Sequence, residues 1–281
     1  HAPGRPAPAP RVRLRGGAEL SAVAEIQPDG TLAVPGQAAP LLTRRALDYG
    51  HVPPFVWYEP ARIITTELDV AVQPGLRLGV VPGPQDETVA ALRRLGLQPR
   101  IIDAEALASA DFAGLQTIVI GARAYEVDTA LVEANEALLA WARAGGNLVV
   151  FYQKYPWLDA GLAPYPLTFA RPHDRVTVEQ APVELLAPTH RLLTTPNAIG
   201  ADDFAGWVQE RGLYFAHTWD PAYTPLLASA DPGDAPLQGG LLAADLGRGR
   251  YTYCAYALFR QWPAGVAGSY RLLANLVQTG E

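Results

Sequence analysis

Methionine is absent from the 281 residues, and lysine and cysteine occur once each, as Lys154 and Cys254. Without methionine the sequence carries no initiator of its own, so His1 is read as following a processing event or a fragment boundary, with further sequence upstream. A single cysteine excludes an intrachain disulfide and a cysteine-based metal cage, and leaves the redox compartment open. Long apolar runs are lacking too, none approaching the roughly 18–20 residues that span a bilayer. No excess of positive charge is present either: 22 basic against 28 acidic residues give a net charge of -6. That balance excludes a global electrostatic case for nucleic acid or anionic lipid. With 49% hydrophobic and 18% charged residues the chain has the material for a packed core and does not have a disordered composition. Its length suggests about two domains.

The opening HAPGRPAPAP (1–10) is a Pro/Ala tract that holds neither helix nor sheet ladder, and is read as a linker or arm. Residues 11–72 read as a small β-rich segment: short alternating runs at 12–14, 19–26, 31–34 and 62–70 are broken by Gly and Pro, including the turn Pro28-Asp29-Gly30. Between them, 48–58 is rich in aromatics and reads as too proline-bound for regular structure, a packed crossover instead. After Gln73-Pro74-Gly75 the pattern changes. Strand-like runs at 76–81, 100–103, 117–122 and 147–152 alternate with helical patterns at 84–95 and 128–144, the latter stopped by Gly145-Gly146. Apolar strands alternating with helices indicate a mostly parallel, doubly wound α/β sheet over 73–281. A hairpin from 239–246 to 251–258 turning on Gly247-Arg248-Gly249, and a terminal helix over 267–277, complete the reading.

Ligands of open α/β sheets bind beyond the carboxyl ends of the strands, so four loops matter. The first, Pro82-Gly83-Pro84-Gln85-Asp86, lacks both the dinucleotide and the P-loop glycine patterns. In the third, Arg123 beside a strand end can clamp an anion or pair with Glu126 or Asp128. The fourth, Tyr152-Gln153-Lys154-Tyr155-Pro156-Trp157, sets the only lysine among aromatic rings.

This order of elements, with Gly-Ala-Arg-Ala-Tyr at one strand end, resembles the class I glutamine amidotransferase-like fold. In active members the fourth loop is a nucleophile elbow; here it holds no Cys, no Ser and no flanking Gly. Cys254, in an apolar strand, reads as an inert buried thiol. A narrower resemblance spans the chain from about Leu41: LDYGHVPP (47–54), TTPNAI (194–199), DDFAGWVQERGLYF (202–215), WDPAYTPLL (219–227) and ALFRQWPAGV (257–266) are similar to the C-terminal region of long bacterial PIG-L/LmbE-family deacetylases. Those proteins join a zinc-dependent N-acetyl-sugar deacetylase to a β-sandwich and an amidotransferase-like domain. The family's zinc chemistry needs a His-Pro-Asp-Asp motif, which this chain lacks; His173-Asp174 and Asp202-Asp203 only imitate it. The resemblance therefore implies the noncatalytic part, with no cofactor or metal, a periplasmic or secreted location, and an upstream deacetylase domain or other protein subunits as partners.

Several residues carry two readings. Asp202 or Asp203 caps a short helix. Trp207, Gln209, Glu210 and Arg211 form an aromatic platform with polar edges, suited to a sugar or to an interdomain seam. His190 resembles a turn position of amidotransferase-like sugar-metabolism proteins, but reads first as a structural turn histidine; His51 reads as packed in the crossover. His217 and Trp219 flank a strand end that can face the crevice of Lys154. Three functions follow as expectations: an accessory binding module that holds glycan, a structural subunit docking through its arm and aromatic surface, or a hydrolase using Glu126, His190 or His217.

Overall fold

Short alternating runs separated by turn residues build the amino-terminal part from antiparallel strands. In this computed structural model, which describes residues 11–15, 21–48, 51–63, 67–84 and 86–279, they are β1 (Arg11–Arg15), β2 (Ser21–Ile26) and β3 (Leu32–Ala33), paired in that order. The β2–β3 turn forms as its sequence demands: the Asp29 carboxylate accepts hydrogen bonds from the Thr31 amide (3.0 Å) and hydroxyl (2.7 Å), and Gly30 takes the positive φ. A second ladder pairs β4 (Leu42–Leu47) with β5 (Phe55–Pro60), from Leu42↔Pro60 to Leu47↔Phe55. The 48–58 stretch is therefore not an irregular crossover throughout. Pro53-Pro54 stop short of β5 and Pro60 stands at its end, where a missing amide does least harm to a ladder. Of the run expected at 62–70, the described residues show an isolated bridge between Thr31 and Arg62 and no strand over 67–70, and 64–66 lie outside the described residues. The Pro/Ala tract 1–10 and Tyr49-Gly50 lie outside the described residues.

The chain divides into two compact units, His1–Thr66 and Glu67–Glu281. Residues 67–73, which the sequence pattern groups with the β-rich segment, are bound into the larger unit. The Asn197 amide exchanges hydrogen bonds with the Ala71 backbone (2.8 and 2.9 Å), and Gln73 bonds Thr279. An extended segment with its backbone bonded to side chains has no ladder, which is why a strand pattern misassigns it.

The larger unit runs β6 (Leu78–Val81), α1 (Thr88–Arg94), β7 (Arg100–Ile101), α2 (Ala104–Ala108), β8 (Thr117–Ile120), α3 (Ala124–Val127), α4 (Thr129–Glu133), α5 (Asn135–Arg143), β9 (Asn147–Phe151) and α6 (Tyr155–Asp159). Then follow β10 (Leu167–Thr168), β11 (Asp174–Val176), β12 (Val183–Leu185), α7 (Arg191–Thr194), a 3-10 turn (Ala201–Phe204), β13 (Gly212–Phe215) and β14 (Thr218–Trp219). The chain ends with β15 (Thr224–Pro225), β16 (Leu227–Ser229), β17 (Leu241–Leu246), β18 (Gly249–Cys254), α8 (Leu258–Gln261) and α9 (Ala267–Val277). The single helix expected over 128–144 is two helices. Ala134, at ψ -3°, flattens the helical path, and Asn135 turns inward to accept from the Tyr125 hydroxyl (2.6 Å) and donate to the Leu162 carbonyl (3.1 Å).

Seven strands form the central sheet in the order β15-β17-β18-β9-β8-β6-β7; β18, β9, β8, β6 and β7 are mutually parallel, and β17 pairs antiparallel with both β18 and β15. All residues of β6, β8 and β9 are buried, which explains their unbroken apolar runs. Three two-stranded ladders (β10·β14, β11·β13, β12·β16) stand apart from this sheet. The fold is thus mixed α/β, with a mostly parallel sheet and small antiparallel ones. Numbered along the chain, the five parallel strands have spatial order 2-1-3-4-5, which reverses between β6 and β8. At such a reversal the connections leave in opposite directions and open a crevice beyond the strands' carboxyl ends.

Candidate functional site

The crevice is present. A cleft of about 390 Å³ is lined by Pro84 and Glu87 after β6, Ala122 and Arg123 after β8, Tyr152 after β9, and Gln209, Phe259, Arg260 and Pro263. Gly83 lets the first two loops meet, since a Cβ there would overlap the Ala122 carbonyl. Beneath them Asp86 is largely buried; its carboxylate takes the Thr88 amide (2.9 Å), the Thr88 hydroxyl (2.5 Å) and the Gly83 amide (3.3 Å). Burial raises its pKa, and these hydrogen bonds partly offset the rise.

Arg123 stands at the centre with φ 62°, a left-handed conformation that costs a non-glycine residue about 1–2 kcal/mol. Its amide bonds the Tyr152 carbonyl (2.9 Å), locking the ends of β8 and β9 together. Its guanidinium holds Glu126 through two 2.9 Å bonds, and Lys154 reaches the same carboxylate at 3.3 Å. Arg123, then Lys154, hold the Glu126 carboxyl below its ordinary pKa. Among the described residues four non-glycines have positive φ, and three of them, Arg123, Gln209 and Tyr214, gather here. Gln209 lines the cleft, its backbone N–H donating to Glu179 (2.6 Å), and the Tyr214 ring stacks on Tyr152 (6.0 Å, 13°). Strain of this kind concentrates at functional sites. The rest of the wall is aromatic: Phe259 packs on Tyr152 (5.7 Å) under the Arg260 guanidinium, which pairs with Glu210 at 2.6 Å. His173 lies flat on the far side of Tyr214 (3.9 Å, 2°), and burial, then the Arg175 charge, lowers its pKa.

The structure brings Arg123, Glu126, Lys154, Gln209 and Glu210 together around this crevice and leaves the other sequence candidates elsewhere. Gln153 is fully buried: its amide donates to the Gly121 (2.9 Å) and Phe151 (2.8 Å) carbonyls and accepts from the Tyr125 amide (3.2 Å), so it is a latch between loops with every polar atom engaged. Trp157 is a core residue, stacked on Tyr253 (5.6 Å, 7°) and Phe169. Trp207 and Arg211 are buried too. The Trp207 ring donates to the Asp203 carbonyl (3.0 Å), and the Arg211 guanidinium, beneath that ring, bonds the Ala181 and Phe204 carbonyls. They form no exposed sugar platform. His217 is exposed and hydrogen-bonded to Asp174 (2.8 Å), while Trp219 serves the β10·β14 ladder opposite Leu167.

His190 caps α7, its Nδ1 accepting from the Leu192 amide (3.2 Å). It lies with Asn147 and Arg250, where β9 and β18 begin. A five-residue strand spans about 16 Å, so His190 and Lys154, at opposite ends of β9, cannot serve one reacting group. Asp203 caps the Gly200 amide (2.8 Å), as its sequence context suggests. Cys254 is fully buried in β18, and burial pushes its pKa up to about 12. Sequence reasoning missed Tyr152, Tyr214, Phe259 and Arg260, which come from three distant segments; the positive φ at Gln209 and Tyr214 leaves no mark in the residue types.

Among the described residues no group of three His, Cys, Asp or Glu side chains is arranged to hold a metal, and no helix is long and apolar enough to cross a membrane. No protein-family model and no curated protein matches the chain. Among solved structures it is similar to a cytoplasmic protein from Salmonella typhimurium LT2, with 14% identity over 85% of this chain and 96% of that one, and a TM-score of 0.45. It is also similar to a GMP synthase-like protein from Thermoplasma acidophilum (12% identity, 72% and 93% covered, TM-score 0.46). A third is an exo-β-1,4-mannosidase from Opitutaceae bacterium strain TAV5 (14% identity, 74% and 37% covered, TM-score 0.42).

Proposed function

We propose that the larger unit is a noncatalytic accessory module, a doubly wound amidotransferase-like domain that holds a polyhydroxylated ligand, a glycan, in the crevice beyond the carboxyl ends of its parallel strands. The observation that carries the noncatalytic reading is Gln153. The turn after β9, where an active member of that fold would present its nucleophile, is filled by a buried amide whose hydrogen bonds are all internal. No Cys, Ser, Thr or His is among the described residues lining the cleft. What lines it suits sugar recognition: an apolar wall of Tyr152, Phe259 and Pro263, and the planar polar groups of Arg123, Arg260, Gln209 and Glu87 for hydroxyls. The resemblance of DDFAGWVQERGLYF to PIG-L-type deacetylases supports an accessory role beside such an enzyme outside the cytoplasm.

Titration with acetylated amino sugars, followed by calorimetry, tests the ligand. Saturable binding is expected, and Arg123→Gly weakens it at least about tenfold while leaving stability unchanged or up to about 1 kcal/mol higher, because glycine relieves the left-handed strain. Silence at millimolar ligand removes the glycan, and amide, ester or acetyl hydrolysis that Arg123→Gly abolishes removes the noncatalytic reading.

A second reading, a structural subunit of a larger assembly, is favoured by the β4–β5 ladder. Leu42, Phe55 and Tyr58 there are each more than half exposed, with Val56 and Trp57 beside them. Co-purification of a stoichiometric partner that Phe55→Ser with Tyr58→Ser releases would support it, and a native chain recovered free of partners would not.

A further inference from the structure

At the opposite end of the sheet, where β9 and β18 begin, a pocket of about 230 Å³ is lined by Gly145, Gly146 and Asn147, by His190 and Arg191 of α7, by Asp245, Arg248, Gly249 and Arg250 of the β17–β18 hairpin, and by Thr279. Three guanidiniums and an imidazole face one carboxylate there. None of the three arginines has a carboxylate within ion-pair distance among the described residues. Arg191 is held through Nη2 by the Gln278 side chain (2.8 Å) and the Thr279 carbonyl (3.3 Å), and Arg248 through Nη2 by the Ala144 carbonyl (2.8 Å). Arg250 is held through Nε by Asn147 Oδ1 (3.1 Å) and through Nη2 by the Gln278 carbonyl (2.7 Å). The Nε and Nη1 donors of Arg191 and Arg248, and Nη1 of Arg250, take no acceptor among the described residues.

A guanidinium satisfied only by neutral oxygens keeps its full charge and seeks an anion, the more strongly the less water reaches it. Arg250 is partly buried; burial, and after it the neighbouring Arg191 charge, lowers its pKa to about 10. The same cations depress His190, whose burial is the larger cause. Mutual depression of this kind is the mark of uncompensated positive charge. The cluster is built and not incidental: the side chains that fix Arg191 and Arg250 also tie β9, β18 and the end of α9 together. Gly249, in turn, packs so closely on the Ala142 and Gly146 carbonyls that no Cβ fits.

We propose that this pocket binds a tetrahedral oxyanion of the phosphate class, gripped by Arg191, Arg248 and Arg250. The planar forks favour an anion with several equivalent oxygens over a halide, and the excess of cations over the single Asp245 matches a dianion. The site is separate from the carboxyl-end crevice and does not depend on what that crevice holds.

The test is calorimetric titration of the full chain with inorganic phosphate and with sulfate at constant ionic strength in a chloride buffer. Saturable one-to-one binding of both is expected. Arg248→Gln and Arg191→Gln each weaken it about tenfold, as for loss of one charge-assisted contact, without lowering the melting temperature by more than about 2 °C, while Arg123→Gly at the far end leaves it unchanged. A sugar phosphate or glycerol phosphate that binds more tightly than phosphate identifies a phosphorylated small molecule as the ligand; equal affinity identifies the free oxyanion. Absence of saturation by about 20 mM, or an affinity that neither arginine variant alters, overturns the proposal. Binding of malonate or citrate with no response to phosphate or sulfate overturns it as well.

Discussion

Gln153 shows how one side chain changes the meaning of a loop. Its amide fills the turn after β9 and unites the ends of β8 and β9 with the start of α3; removing it leaves the Tyr125 amide without this acceptor and takes a donor from the Phe151 and Gly121 carbonyls, the latter keeping only the Ala124 amide (3.2 Å). Gln153→Ala is expected to cost about 2–4 kcal/mol in urea unfolding, from unpaired groups plus a cavity. A cost below about 0.5 kcal/mol would mean the latch is idle. His190 makes a second prediction at this scale. Burial, the flanking Arg250 and the nearby Arg191 depress its pKa in the folded chain against the opposing pull of Asp245, with Arg248 completing the charged groups that face it. The unfolded chain then binds the proton more readily, so this residue's contribution is present above about pH 6.5 and is lost as pH falls. The His190 ring should titrate below pH 6.5 by NMR. His190→Gln should flatten the fall in stability between about pH 7.5 and 5.5, and bound sulfate should bring the midpoint back up. A midpoint at or above 6.5 without sulfate contradicts the arrangement.

The elements of the larger unit follow their residue patterns where neighbours in sequence decide them. The buried runs of β6, β8 and β9 and the helix Ala267–Val277 lie where periodicity puts them, and the 239–258 hairpin forms with a tighter turn, Gly249 joining its second strand, which ends at Cys254 and not at 258. Patterns fail where side chains from elsewhere intervene. The inward turn of Asn135 toward Tyr125 and Leu162 goes with the division of one helix into two, and bonds from Asn197 hold Ala71 without a ladder. The hairpin turn is the tightest of these junctions, because Gly249 touches the backbone of the α5–β9 connection. Gly249→Ala is expected to lose on the order of 3 kcal/mol in chemical denaturation, since backbone must move to admit a methyl group. Gly200→Ala, in open space and at an extended φ of -136°, should lose less than about 1 kcal/mol. Equal losses would refute the packing argument.

At the scale of the whole molecule the two units differ in what they bury. Among the described side chains of the smaller one only Ala24 and Leu32 are buried apolar residues, whereas the larger one has a continuous core from Leu76 to Val277. A chain beginning at Glu67 is therefore expected to unfold in one cooperative transition within about 2 °C of the full protein's main transition, read by calorimetry. A fragment that fails to fold would show that the larger core depends on residues before Glu67.

The α/β alternation, the aromatic and arginine content of the strand-end loops and the missing nucleophile were legible in the residues, because each depends on neighbours within a few positions or on composition. The sheet order, and with it the crevice between β6 and β8, was not, since it is set by pairings such as Arg250↔Asn147 between residues about a hundred positions apart. The same long-range packing sent Trp157, Trp207 and Arg211 into the interior and His190 to the far end of β9. Only the tertiary structure gathered Arg191, Arg248 and Arg250 into one pocket. Sequence spacing says which residues can share a helix or a strand; which loops from distant strands meet is decided by how the apolar faces close over one another.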